Sequence, residues 1–239
     1  MRLGVNVDHI ATLRQARKTS NPDPKDAARI CEQAGASSIV CHLREDRRHI
    51  QDTDVWRLRQ SITTRLNLEM SIAKEIVAIA LAVKPAQVTL VPERRQELTT
   101  EGGLDIVSLR GRLKRVVRAF QERGIEVSLF VDPVVRQLQA AQDLGVEMIE
   151  LHTGRYAEAS APRLRLHRLR QLSKAAQAAR KRDLSVAAGH GLDYDNVSAV
   201  VEIPEIEELN IGYAIIRRAL FVGLQDAVRE MVGLVSVPS

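Results

Sequence analysis

Two periods alternate along the chain. Short runs whose apolar residues recur at every second position, or fill the run, end in polar or glycine-rich residues; longer stretches with apolar residues three and four apart follow them. The first period is that of a strand and the second that of a helix. Eight runs read as strands: 3–9, 38–44, 65–70, 87–93, 126–132, 148–154, 184–191 and 206–212. Between them helices are predicted over 23–35, with Asp23 as cap and Pro24 in the first turn, and over 54–62, 73–83, 109–124, 134–145, 163–182 and 214–235. Strands alternating with helices imply parallel strands joined by crossovers, and eight such units predict an α/β TIM barrel. No linker or composition break divides residues 1–239, so one domain is expected. The alternative is an open doubly wound sheet, but no G-x-G-x-x-G turn follows the first strand.

Polar residues interrupt these strands at a regular interval. In RLNLEM, Asn67 and Glu69 share one face while Leu66, Leu68 and Met70 share the other. The same i, i+2 arrangement recurs as Asn6 and Asp8, His42 and Arg44, and Glu150 and His152, each near the C-terminal end of its strand. A single pair reads most simply as a hydrogen-bonded polar layer in a barrel core. Four pairs at the end where this fold gathers catalytic groups favour a site, because desolvating so many titratable groups is costly. Two further loops suit phosphate: AAGHGL after the seventh strand surrounds His190 with glycines, and NIGYAII places Gly212 at the head of a helix. Arg17, Arg44, Arg47, Arg48 and His49 add cationic groups after the first two strands.

Composition narrows the class. With 45% hydrophobic and 27% charged residues the chain is expected to be globular, and its two cysteines are too few for a disulfide framework. Reduced, buried thiols and a cytoplasmic location follow as expectations. The longest apolar run, IVAIALAV, is too short to span a bilayer. The net charge of +5 is local: residues 163–182 carry eight Lys and Arg and no acid, leaving the rest of the chain with fewer basic than acidic residues. Leu166, Leu169, Leu172 and Ala176 fall on one side of that segment, which predicts a packed helix with a basic outer face rather than a nucleic-acid patch. No H-E-x-x-H or compact Cys/His spacing suggests a metal, and no G-x-S-x-G elbow suggests a serine nucleophile. Cys41, one residue out of phase with His42, is expected to face the helices.

The segments GVNVDHIATLRQAR, HLREDRRHI, NLEM, LVPERRQELTTEGGLD, ELHTGRYA, AGHGL and ELNIGYAII together resemble the pyridoxine 5'-phosphate synthase family. The resemblance runs from residue 3 to about residue 230. It implies a TIM barrel with extra helices that condenses 1-deoxy-D-xylulose 5-phosphate with 3-amino-2-oxopropyl phosphate, releasing phosphate and water. It implies no metal or organic cofactor, small phosphorylated substrates as the partners, and a homo-octamer built from dimers. Position by position it implies that His42 and Glu69 accept protons, His190 donates one and Glu150 stabilises charge in the transition state. Asn6, Asp8, His9, Arg17, Arg44, His49, Thr99, Gly191, Gly212 and Tyr213 match substrate-binding positions. Tyr213 is a departure, since the family reads NIGHAII there; a phosphate contact through the backbone N–H would leave the change nearly silent. Two other readings stay open: a different phosphosugar aldolase or isomerase on the same fold, and a basic RNA-binding protein.

Overall fold

The computed structural model describes residues 1–93 and 102–236. All eight strands form: β1 (Arg2–Asn6), β2 (Ser38–Leu43), β3 (Arg65–Met70), β4 (Gln87–Leu90), β5 (Glu126–Val131), β6 (Met148–His152), β7 (Ser185–Gly189) and β8 (Glu208–Ile211). They pair in parallel and in chain order, and β8 closes on β1 to make a barrel. Around it run α1 (Asp8–Arg17), α2 (Pro24–Gln33), α3 (Asp52–Ser61), α4 (Lys74–Val83), α5 (Ile106–Gln121), α6 (Val135–Leu144), α7 (Gly154–Ala157), α8 (Pro162–Arg180), α9 (Val197–Val201), α10 (Tyr213–Val222) and α11 (Leu224–Val235). No helix among the described residues is long and apolar enough to cross a membrane.

Strand parity divides the molecule into two solvents. Leu3, Val5, Ile39, Cys41, Leu43, Leu66, Leu68, Met70, Val88, Leu90, Val127, Leu129, Ile149, Leu151, Val186 and Leu209 belong to one continuous apolar cluster with the buried faces of the helices. The alternate residues fill the inside of the barrel, and there Ser38, Asn67, Gln87, Thr89, Ser128, Glu208 and Asn210 are all buried and polar. Burying apolar area at about 25 cal/mol per Å² makes the outer layer the main source of stability. The interior is thereby left for polar groups. Cys41 lies in the outer layer as expected, and both it and Cys31 are buried free thiols.

Several boundaries differ from the sequence reading. The first strand stops at Asn6 instead of running to residue 9, so Asp8 and His9 sit in the opening turn of α1, a helix whose weak apolar contrast hid it. Arg44 follows the last residue of β2. The single helix expected over 214–235 is two, because Gly223, at φ 84°, breaks a pattern that is apolar on both sides. On α8 the face toward the core is Leu172, Ala175, Ala176 and Ala179, with Leu169 partly covered. Leu166 is 47% exposed, so the first turns of that helix stand away from the barrel. The Asp23 cap is as read: its side chain accepts from Lys25 N–H at 2.9 Å, with Pro24 at the first helical position.

Candidate active site

A cavity of about 700 Å³ opens at the C-terminal ends of the strands. Its wall contains twelve of the fourteen residues selected from the sequence: Asn6, Asp8, His9, His42, Arg44, His49, Glu69, Glu150, His190, Gly191, Gly212 and Tyr213. Arg17 is exposed in the last turn of α1 and does not line it. Thr99 lies outside the described residues. Asn67, the partner of Glu69 by parity, is one layer deeper, where Thr89 Oγ1 donates to its Oδ1 at 2.9 Å. It is a barrel-core group, so the sequence pair divides into one structural and one cavity-facing residue.

The floor of the cavity carries two carboxyls, the half-buried Glu69 on β3 and the buried Glu150 on β6. Burial, together with the negative charges of Glu150 and Asp8, pushes Glu69 well above the usual carboxylate range. Burial and the charge of Glu208 push Glu150 up to about 7, against the lowering effect of Asn210, whose amide donates to Oε2 at 2.8 Å. Two neighbouring carboxyls whose proton affinities are both raised suit acid–base work. Gly189 is adjacent, and a Cβ there would overlap Glu150 Oε1. This glycine makes room for the carboxyl.

Asp8 is held tightly. Its Oδ1 accepts from the His42 N–H at 2.7 Å, its Oδ2 accepts from Asn6 Nδ2 at 2.9 Å, and its own N–H donates to Asn6 Oδ1 at 2.8 Å. On the far side of His42, Nε2 lies 2.9 Å from Glu93 Oε1. Burial raises the Glu93 carboxyl, but hydrogen bonds from His42 and from Glu45 N–H outweigh it and the net shift is downward. With Glu93 as the acceptor, His42 Nε2–H donates to it and Nδ1 is left as the accepting nitrogen. The sequence reading missed Glu93, although it continues the inward parity of Thr89 and Val91. His49 is the reverse case: its Nδ1 accepts from Ile50 N–H at 2.8 Å, so the neutral ring carries its proton on Nε2.

Cationic and amide groups surround the mouth. Arg44, Arg48 and Arg217 line it, and the first residues of α10, with Gly212 as cap, present backbone N–H groups there. Arg217 was also missed, being separated in sequence from the strand ends. The Tyr213 ring is 63% exposed, packs edge-on against His9 at 5.2 Å and lies under the Arg217 guanidinium at 5.9 Å. No lysine among the described residues lines the cavity. Asp8, His42 and Glu69 each offer one donor atom, all within 4.8 Å of one another, a set that could hold a divalent ion. Each of the three already has a protein partner: Asp8 has Asn6, His42 has Glu93, and Glu69 accepts from Asn6 Nδ2 at 3.4 Å.

His190 stands in the loop after β7 at φ 81°, a left-handed conformation that side-chain-bearing residues adopt only when held. Thr153 Oγ1 holds it, sharing its hydroxyl between the Gly189 and His190 carbonyls at 2.7 and 2.6 Å. Burial and the neighbouring His152 lower the His190 ring to about 4, so it is neutral near pH 7.

A closed eightfold barrel with titratable side chains gathered at its strand ends defines the class: an enzyme on a TIM barrel. The solved structures it is similar to have that fold, among them phosphoribosylanthranilate isomerase from Thermotoga maritima (TM-score 0.60, 12% identity, 98% of each chain) and the tryptophan synthase A-subunit from Pyrococcus furiosus (TM-score 0.64, 13% identity, 97% of each chain). The family is fixed by sequence. Residues 3–237 match the family described as pyridoxal phosphate biosynthesis protein PdxJ. The chain is 61% identical over 229 residues to the pyridoxine 5'-phosphate synthase of Synechococcus sp. (strain JA-2-3B'a(2-13)), covering 96% of each. It is 53% identical over 235 residues to that of Syntrophobacter fumaroxidans, covering 98% of this chain and 99% of the other. The chain therefore belongs to the PdxJ family and is an enzyme of vitamin B6 synthesis.

Proposed function

We propose that the enzyme condenses 1-deoxy-D-xylulose 5-phosphate with 3-amino-2-oxopropyl phosphate to pyridoxine 5'-phosphate, releasing phosphate and water, by general acid–base catalysis without metal or organic cofactor. The observation that carries this reading is the convergence of His42, Glu69, Glu150 and His190 on one cavity. Imine formation, proton removal beside a carbonyl, phosphate loss and dehydration each need a positioned acid or base, worth about 10²–10⁴ in rate apiece. His42, with its Nε2 proton engaged by Glu93, and Glu69, with its raised proton affinity, act as proton acceptors. Glu150 stabilises developing charge and His190 donates a proton. Arg44, Arg48, Arg217, His9, His49 and the amides at Gly212 and Tyr213 receive the phosphates, through charge and through the helix terminus. The lack of a cavity lysine among the described residues argues against a Schiff-base aldolase.

The protein works in the cytoplasm as a homo-octamer built from dimers, a reading supported by free buried thiols and by Leu220 and Phe221, which stand 69% and 82% exposed on α10. The test is direct. Purified protein given both substrates yields pyridoxine 5'-phosphate and inorganic phosphate in parallel, and does so equally after dialysis against EDTA. Phosphate release without the pyridine product, or loss of turnover restored by a divalent ion, would overturn the assignment.

A further inference from the structure

Behind His190 lies a chain of polar contacts that the roles above do not use. His152, the last residue of β6, is buried and outside the cavity wall. Its Nδ1 is 3.1 Å from Asp132 Oδ1, in the turn after β5, and its Nε2 is 3.3 Å from His190 Nδ1. Phe130 packs on both imidazoles, with centroids 5.1 Å from His152 and 6.5 Å from His190. Gly154 is what lets the two rings meet: a Cβ there would overlap His152 Nε2 and lie 3.1 Å from His190 Nδ1. The hydrogen bond from His152 is the largest effect on the Asp132 carboxyl and, against burial, helps hold it below its usual range, so this end of the chain is an ionised acceptor.

We infer that Asp132 and His152 are positioning residues that fix the tautomer of His190, so that it enters the reaction as a proton acceptor at Nε2 and donates only a proton it has first taken. This rests on the synthase reading for the identity of the reaction, but the tautomer does not. With Asp132 accepting from His152 Nδ1–H and that ring carrying a single proton, His152 Nε2 is a lone pair; His190 directs Nδ1–H at it, and its own Nε2 is bare toward the cavity. In the cycle, Nε2 takes a proton from a C–H or N–H of bound substrate, the bonding pair staying on the substrate atom. The resulting imidazolium keeps its Nδ1–H on His152. The same proton then leaves Nε2 for the departing oxygen of phosphate or water, and the ring ends neutral as it began. Outer partners that orient a histidine in this way are a recurrent device.

The tautomer can be read without substrate. Solid-state spectra of the full-length protein labelled with carbon-13 and nitrogen-15 histidine, with the His190 signals identified by subtraction of H190Q, are expected to show Nδ1–H and a bare Nε2 at pH 7. In Asp132→Asn the amide donates where the carboxylate accepted, and His190 is expected to switch to Nε2–H. With it kcat falls about 10²–10⁴-fold while KM stays within about threefold. Gly154→Ala, which keeps all three side chains but parts the rings, gives the same split. A wild-type His190 that is charged or protonated on Nε2 overturns the inference. So does D132N with unchanged spectrum and kcat, or one whose loss lies wholly in KM and melting temperature. The expected tautomers in a wild-type protein that makes no pyridoxine 5'-phosphate support the relay and overturn the synthase assignment instead.

Discussion

Among the described residues the hydrogen bond to Glu69 is from Asn6, and its electrostatic neighbours are Glu150 and Asp8, with no cation among them. Removing its charge therefore strands nothing. Glu69→Gln is expected to lower kcat by about 10²–10⁴-fold. Its stability should rise with pH relative to wild type. A carboxyl whose folded pKa is raised stabilises fully below the unfolded value and loses that contribution as pH climbs toward the folded value, at about 1.4 kcal/mol per pH unit. Urea unfolding at pH 4 should thus show little difference between the two proteins, and at pH 7 the variant should be the more stable. Near wild-type kcat with a lowered midpoint at pH 7 would make Glu69 a structural carboxylate. For Tyr213, whose ring is largely exposed and rests against His9 and Arg217, reversion to His is expected to change KM by less than about tenfold, or about 1.4 kcal/mol, if the backbone carries the contact. Steady-state kinetics with each substrate varied in turn checks this.

Among the elements, α1 and α3 are joined by a forked pair that sequence patterning gave no reason to suspect. Arg14 donates from both terminal nitrogens to the two Asp54 oxygens at 2.7 Å, and also to the His49 carbonyl at 3.2 Å, so the pair fixes the loop that carries His49 into the cavity. Both side chains are buried, at 8% and 3% exposure. Asp54→Ala should cost about 3–5 kcal/mol by leaving a buried guanidinium unpaired, and the double variant with Arg14→Met should recover much of it; denaturant midpoints of the three proteins measure this. Equal losses in single and double variants would show that packing and not charge is at stake. The strands were legible because their outward face is almost unbroken Leu, Val and Ile, and the alternation exposes every polar residue that breaks phase. That rule would also have found Glu93. It could not find Arg14, Asp54 or Arg217, which reach their places by tertiary packing, nor the start of α1, which follows β1 without a turn signal. The break at Gly223 was hidden for the opposite reason, the apolar pattern being continuous through it.

For the whole molecule the question is what covers the surface it leaves bare. Arg163, Arg165 and Arg170 are exposed in the first half of α8 and do not line the cavity. Changing all three to Gln should leave kcat and KM within about twofold, and the native protein should shift no RNA in a gel at physiological salt, where true phosphate-backbone binding would persist and fade only as salt rises. Leu220 and Phe221 are the more consequential feature, since a monomer seldom exposes large apolar side chains side by side. Phe221→Asp is expected to reduce the assembly measured by light scattering at micromolar concentration. An unchanged mass would place the subunit contacts elsewhere. The barrel itself was readable from eight repeats of one pattern, whereas assembly was not, because an exposed leucine on a helix has the same sequence signature as a buried one.

Gly189 and Glu150 occupy what is in effect one side chain's worth of space. Any lineage that acquired a methyl group at position 189 would first have had to shorten or lose the carboxyl at 150, while loss of the carboxyl would free position 189 to drift. The two sites are therefore expected to change in a fixed order, and a chain of this fold bearing alanine at the first can be read as having already abandoned the acid at the second.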